Sequence, residues 1–593
     1  MKARRTRNPV LRRSCLRLLA VLGASLSVLA VALAASDGAA PAASPSAARL
    51  ASAPVPAGLS PSPSVSTAAV IDPAIPCSSL KGIDFTTVQG APTQISSATL
   101  VTSNGAAYCD VTGYIAPQTQ FDLLLPTTMW HGDYVQEGCG GLCGNVSLGT
   151  PSVSQNCPQV VNNEVAIAAD NAGHQGSGGA WGANDPTLRA VLGYSSEHSL
   201  ALASKAIIKA FYGRGPTYSY FDGCSTGGRQ ALMLAQRYPS DFNGILAGSP
   251  TIFESQLTAE LHIWEVLINT DAQGNEILTS NKLPALHAAV QKTCANSQGL
   301  ILDPRACTFN PASIQCAPGT DSSTCLTPAQ VNTVREAYLG PTDPQGGSLY
   351  PGGEPYGSEL AWAGAWVTAG PDWPSGAAAA SLAVAYMKFA FFPTNPPTSF
   401  TLSDWKFTRA YFEKLTPVSG IYNATDPNLT QFRNDGGKII IYQGWEDQLV
   451  PPFGTVAYYN AVAKYMGGYE ATQQFSRLYM IPAQYHCLGG GDPQVSANFL
   501  SPLIDWVQHG VAPGSVTMPV IANAHPYSPT TITVSAFNPT IPVHAQGSLN
   551  DNYTKYIGGF KSGYELWCSS KSNGADGMSY SCSHRRPSAP AKA

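Results

Sequence analysis

The stretch Tyr218-Ser219-Tyr220-Phe221-Asp222-Gly223-Cys224-Ser225-Thr226-Gly227-Gly228-Arg229 restricts the possible folds of this chain more than any other. Aromatic strand formers lead into a Gly-x-Ser-x-Gly turn, and Ala231 to Arg237 continue with helical spacing. A serine on so sharp a strand-to-helix turn is strained and exposed. Gly223 and Gly227 stand where a side chain would collide with the turn or its neighbouring strand. The helix that follows aims its N-terminus at the serine, so the Thr226 amide can donate to a developing oxyanion. The bland alternative is a Gly/Ser turn in a loop, and the flanking strand and helix argue against it.

Length and composition bound the rest. The 593 residues suffice for one large domain with an insertion, or for two or three domains. With 44% hydrophobic and only 12% charged residues, the chain has the composition of a folded protein and not of a nucleic-acid binder. Residues 1–35 form a secretory signal: basic residues from Lys2 to Arg17, an apolar run from Leu18 to Leu33, then small residues. The run is too short for a membrane span. Arg12-Arg13-Ser14-Cys15-Leu16 leaves the general and the twin-arginine routes open. The signal takes seven of the 33 basic residues and no acidic one, leaving 26 against 37, a formal −11. Polyanionic partners are therefore not expected. Of 14 cysteines only Cys15 lies in the signal, so 13 reach an oxidising compartment and one stays unpaired or pairs between chains.

Residues 36–73 are Ala/Pro/Ser-rich and read as a disordered spacer. Folded sequence begins near Cys77, and a bridge from Cys77 to Cys109 would pin the N-terminal edge. Phe121 to Pro126 and Gly132 to Gln136 read as strands. The second runs into Gly138-Cys139-Gly140-Gly141-Leu142-Cys143-Gly144, either an oxyanion loop or a tight turn closed by a local disulfide. Val165 to His174 reads as a strand with a polar end, Ser199 to Tyr212 as a helix, and Asp241 to Pro250 as the strand after the serine helix. Such alternation calls for a mostly parallel sheet.

From 251 to 433 the character changes to helices, Pro/Gly-rich loops and tryptophans, among them Trp362, Trp366, Trp373 and Trp405. We read this segment as a lid domain inserted into a sheet domain formed by residues 74–250 and 434–568. Most of its tryptophans belong to core packing, with one or two available to an aromatic pocket. The sheet resumes at Gly437 to Gly444. Leu478 to Pro482 reads as the last strand, Ala497 to His509 as the final helix, and 569–593 as a C-terminal tail held by Cys568 and Cys582.

A serine hydroxyl needs a base, and the base needs an acid to fix its tautomer. In the α/β-hydrolase order the acid and then the histidine follow the serine. Asp447 and His486 each stand just beyond the end of a predicted strand, with Glu446 as the rival acid. Cys224 precedes Ser225 and Cys487 follows His486. If serine and histidine are within hydrogen-bond reach, these neighbours approach disulfide range, and a bridge would tie the two loops together.

The set Cys224-Ser225, Asp447 and His486-Cys487 resembles the tannase and feruloyl esterase family, which includes hydrolases of mono(hydroxyethyl) terephthalate. The resemblance extends to Asp170 to His174, Gly223 to Arg229, Tyr238 to Gly244 and Trp506-Val507. It implies an α/β-hydrolase fold with a large inserted lid, a Ser225–His486–Asp447 triad, and an oxyanion hole from the amides of Thr226 and of Gly140 or Gly141. It also implies bridges Cys77–Cys109, Cys294–Cys307, Cys316–Cys325 and Cys568–Cys582, and leaves Cys139, Cys143 and Cys157 unassigned. Relatives carry an aspartate-rich calcium loop in the lid, whereas Cys294 to Cys307 here retains the single carboxylate Asp303, so no metal and no cofactor are expected. The expectation is a secreted serine esterase for phenolic esters of the feruloyl type, with galloyl esters or other aromatic monoesters as alternatives. A serine peptidase and a non-catalytic aromatic-binding relative are the other classes. The partner is a small aromatic ester, with no nucleic acid and no membrane; the oligomeric state is left open.

Overall fold

The computed structural model describes residues 69–103, 105–148, 154, 156–522, 528–538, 547–560, 565–572 and 578–585. The signal of residues 1–35 and almost all of the spacer lie outside them.

Nine strands form the central sheet: β1 (Thr93–Ser103), β2 (Ala106–Ile115), β3 (Thr119–Pro126), β4 (Asp133–Glu137), β5 (Val165–Asp170), β6 (Tyr218–Cys224), β7 (Gly244–Gly248), β8 (Lys438–Gly444) and β9 (Ser476–Ile481). Their spatial order is β1-β2-β3-β5-β4-β6-β7-β8-β9. β1, β2 and β3 pair antiparallel, β3 is antiparallel to β5, and the remainder of the sheet is parallel. This is the α/β-hydrolase fold, with one extra hairpin strand at its edge. The bridge Cys77–Cys109, with Cα atoms 5.5 Å apart, holds that edge.

The strand sequences explain why the sheet is covered on both sides. Parallel strands lie between helical layers, so they read as apolar runs rather than alternating ones. Successive residues face different cores. Tyr134, Phe221, Ile245 and Ile441 pack with α1 (Ser196–Tyr212) and α2 (Thr226–Arg237). Val135, Tyr220, Leu246 and Ile440 pack on the other face.

Residues 251–433 leave the sheet after β7 and return at β8. They contain α3 (His262–Ile268), α4 (Leu283–Cys294), α5 (Pro328–Leu339) and α6 (Ala378–Phe389). One lid core gathers Leu286 and Val290 of α4, Val334 and Tyr338 of α5, and Trp362 and Trp366. A second joins Ile263 of α3, Ala383 and Met387 of α6 and Trp405 to Leu142, Cys143 and Ala172 of the sheet domain. Trp362, Trp366 and Trp405 are thus buried packing residues, and Trp373 is partly buried, with its indole donating to Thr270 Oγ1 at 3.3 Å.

After β8 come α7 (Phe453–Met466) and, beyond β9, α8 (Leu500–His509), whose Leu503 and Ile504 cover the second face. β9 is not the last strand, contrary to the sequence-based expectation. β10 (Gln494–Val495), β11 (Ser515–Ala522) and β12 (Thr531–Ser535) form a small antiparallel sheet. Its Val516, Met518, Ile532 and Val534 point inward at period two. Pro519, which donates no ladder bond, stands inside that run and hides it. β13 (Glu565–Ser572) and β14 (Met578–Arg585) pair with Cys568 opposite Cys582, whose side chains lie outside the described residues.

Candidate active site

Ser225 follows β6 and caps α2 with φ 64° and ψ −121°, a conformation that costs an L residue energy and that the surrounding contacts hold. Its amide donates to Gly248 O at 2.9 Å, and its carbonyl accepts from Arg229 N at 3.0 Å. A Cβ on Gly223 would lie 2.5 Å from Gly227 O, and one on Gly138 would lie 2.8 Å from Gly227 Cα. Bare backbone is therefore what lets the loop after β4 press on the turn.

That loop runs through Gly140 and Gly141, and a bridge joins Cys139 to Cys143. The glycine-rich segment is thus a disulfide-closed turn, and it sits beside the serine turn. Thr226 Oγ1 donates to Gly141 O at 2.6 Å, and Cys139 N donates to Gln230 Oε1 of α2 at 3.1 Å. Nothing stands within 4 Å of where a Cβ on Gly140 or Gly141 would be, so these two residues border open space. Thr226 is the first residue of α2, where an amide has no acceptor within the helix.

Asp447 is fully buried on the loop after β8. Its Oδ1 accepts from the amides of Leu449 and Val450 at 3.1 and 2.9 Å, and its Oδ2 from Gln443 Nε2 at 2.8 Å. Both carboxylate oxygens lie 3.0 and 2.9 Å from His486 Nδ1, which leaves Nε2 as the outward nitrogen. The rival Glu446 makes no such contact. It is fully buried and turned toward the lid, where a Cβ on Gly357 would lie 2.5 Å from its carboxyl carbon.

The bridge Cys224–Cys487 brings the serine turn and the histidine loop together, with Cα atoms 5.8 Å apart. Among the described residues no hydrogen bond joins Ser225 to His486, so the disulfide beside them is their covalent link. Catalytic hydrogen bonds are often long before substrate binds.

Sequence reasoning missed the supports of this arrangement. Gln443, an amide directly after the apolar run Ile439 to Tyr442, was the signal for a polar anchor at that strand end. His262 at the start of α3 comes from the lid and lies 3.3 Å from Leu449 O on the acid loop. Burial pushes its imidazole down to about 4, so it is neutral. No sequence pattern announced it. A cavity of about 430 Å³ lined by Lys205, Lys209 and Asp241 touches none of these residues.

The lid bridges Cys294–Cys307 and Cys316–Cys325 are formed. Between the first pair, Asp303 is engaged by Arg305, whose Nε and Nη2 reach its two oxygens at 2.9 and 2.6 Å. A single carboxylate already paired with a guanidinium does not fit a calcium ion, which takes six to eight oxygens. Cys157 is free and buried.

Comparison with known proteins places these features in context. The family described as tannase and feruloyl esterase matches residues 101–555. A mono(2-hydroxyethyl) terephthalate hydrolase of Piscinibacter sakaiensis is 29% identical over 72% of this chain and 80% of its own length. A probable feruloyl esterase B-2 of Aspergillus terreus is 29% identical over 71% of this chain and 80% of its own. The crystal structure of feruloyl esterase B from Aspergillus oryzae superposes with a TM-score of 0.65 at 23% identity, covering 75% of this chain and 92% of that one. At that identity the superposition speaks for the fold alone.

Proposed function

The chain belongs to the tannase and feruloyl esterase family, and we propose that it is a secreted serine esterase that cleaves phenolic esters through Ser225, His486 and Asp447. As a member it is a carboxylic ester hydrolase of the feruloyl esterase and tannase type. The observation that carries the residue assignment is the two-oxygen contact of Asp447 with His486 Nδ1, on a loop bridged to the residue beside Ser225.

In this reading Ser225 Oγ attacks the ester carbonyl while His486 Nε2 takes its proton. The charge that develops on the carbonyl oxygen falls to the amides of Thr226 and of Gly140 or Gly141. Asp447 accepts from His486 Nδ1–H and stabilises the imidazolium, which then protonates the leaving alcohol. Water, activated by the same imidazole, releases the acid from Ser225 and restores the enzyme.

A feruloyl or related hydroxycinnamoyl ester is the first choice of substrate, in line with the similarity to probable feruloyl esterases. Galloyl esters and terephthalate monoesters follow, the latter favoured by the similarity to the terephthalate monoester hydrolase. Export is proposed from the pattern of residues 1–35. The lid is proposed to work without calcium, since its one loop carboxylate pairs with Arg305. A chelator should leave both the melting temperature and the rate unchanged, and a loss of either would show a metal elsewhere.

The deciding experiment is hydrolysis of methyl ferulate, methyl gallate and mono(hydroxyethyl) terephthalate by the protein and by Ser225→Ala. Activity on one of them that disappears in Ser225→Ala is expected. No activity on any by the folded protein would favour a binding relative, and full activity in Ser225→Ala would remove the triad.

A further inference from the structure

Behind the loops that carry Asp447 and His486, a buried set of titratable groups joins the lid to both of them. His287 of α4 is 4% exposed. Its Nδ1 lies 2.9 Å from Glu359 Oε2 in the lid, and its Nε2 lies 3.6 Å from Asp492 Oδ2 in the sheet domain. Glu359 is itself held, its Oε1 accepting from the Tyr338 hydroxyl at 2.8 Å and from Gly357 N at 2.9 Å.

Asp492 closes the base of the loop that presents His486. Its amide donates to Ala483 O at 3.0 Å, and inside the loop Tyr485 N donates to Gly490 O at 3.1 Å. Glu446, the residue before Asp447, packs on Gly357 at the close approach described above. Neither of its carboxylate oxygens has a hydrogen-bond partner among the described residues, nor does the Tyr485 hydroxyl. The groups around His287 are therefore Glu359 and Tyr338 from the lid, Glu446 from the acid loop, and Tyr485 and Asp492 from the histidine loop.

We propose that His287, fixed by Glu359 of the lid, is a positioning residue that holds Asp492 and with it the loop presenting His486. The inference rests on the assignment of His486 made above. Burial alone would drive the proton from the imidazole. The carboxylates of Asp492, Glu359 and Glu446 outweigh it and push the value up to about 10. Burial also pushes Glu446 well above the usual carboxylate range, against the pull of the His287 charge. Removing the cation takes away the group that stands between Glu359 and Asp492, and breaking a buried pair is disruptive because the remaining partner loses its compensation.

The test is the rate of hydrolysis against pH for the full protein, for His287→Gln and for His287→Gln/Asp492→Asn, on whichever ester the wild type cleaves. His287→Gln is expected to lose about tenfold or more in kcat near pH 8. The loss should shrink toward about pH 5, where the stranded carboxylates can take up protons. The double variant, which removes the stranded charge of Asp492, is expected to regain most of the rate.

A folded His287→Gln with the wild-type rate and pH profile overturns the proposal. So does a loss that is equal at every pH and not rescued, because that is a packing effect. If the variants do not fold, histidine-labelled magnetic resonance of the wild type decides. An imidazole that stays protonated from about pH 6 to 9 is expected, and titration near 6.5 refutes the charged clasp. Activity that survives Ser225→Ala sinks the triad assignment, whereas a negative His287 result with Ser225→Ala inactive leaves the triad standing.

Discussion

Asp447 and Glu446 are neighbours with the same chemistry and opposite environments. Asp447 receives two backbone amides and the Gln443 side chain, and it faces His486. Glu446 points away, into the contact between lid and sheet domain. Asp447→Asn should therefore cut the rate by about 10⁴-fold, the loss typical when the acid that sets the histidine tautomer is removed. Glu446→Gln should cost less than about tenfold, because neither carboxylate oxygen makes a hydrogen bond that the amide would break. Steady-state rates of the two variants check this, and equal losses would reverse the assignment of the acid. The sequence narrowed the choice to these two residues through chain order and the strand before them. The family resemblance singled out Asp447, and the packed partners set the two apart, because successive residues of a loop point to different sides.

At the scale of elements, the serine turn, the glycine-rich loop and the histidine loop are three irregular segments fixed by unlike means. The serine turn is set by its own sequence, since Gly223 and Gly227 admit the tight backbone contacts that the strand-to-helix reversal demands. The glycine-rich loop is held by its local bridge and by Gln230 of α2. The histidine loop is held at a distance by Cys224–Cys487, which spans 263 residues. In the chain-entropy account, bridging so long a loop stabilises the protein by up to about 5 kcal/mol, and native strain lowers the measured figure. Replacing both cysteines by alanine is expected to lower the melting temperature and reduce kcat more than it raises KM, because the separation of Ser225 and His486 is then less restrained. Calorimetry with steady-state kinetics would detect it, and an unchanged kcat would mean the loops are held by packing alone. The adjacency of Cys224 to Ser225 and of Cys487 to His486 made this bridge legible from sequence. The Cys139–Cys143 bridge stood only as one of two readings.

At the scale of the whole molecule the distinctive property is buried acidity. Asp133 is pushed up to about 6 and Asp222 to about 7, in both cases first by burial, and burial drives Glu197, Glu260 and Glu446 well above the carboxylate range. An unfolded carboxyl releases its proton near about 4, so between about pH 4 and 7 the folded state keeps protons that the unfolded chain has lost. Stability contributed by these groups is complete below the lower value and is lost as pH rises through the higher one. His287, raised in the same direction, extends the decline toward about pH 10. Thermal melting is therefore expected to be highest near about pH 4 and to fall steadily to pH 9, and a melting temperature that rises over that interval would contradict it. By itself the sequence determined the parallel strands of the sheet, the serine turn, the inserted segment and the residues proposed as nucleophile, base and acid. Each of these is written in local periodicity, glycine placement or chain order. The contact of the lid with the loops carrying Asp447 and His486, the carboxylates beside His287, the place of His262 and the small sheet beyond β9 were decided only by the tertiary structure. They depend on residues far apart in the chain, whose side chains acquire meaning only when packing sets one against another.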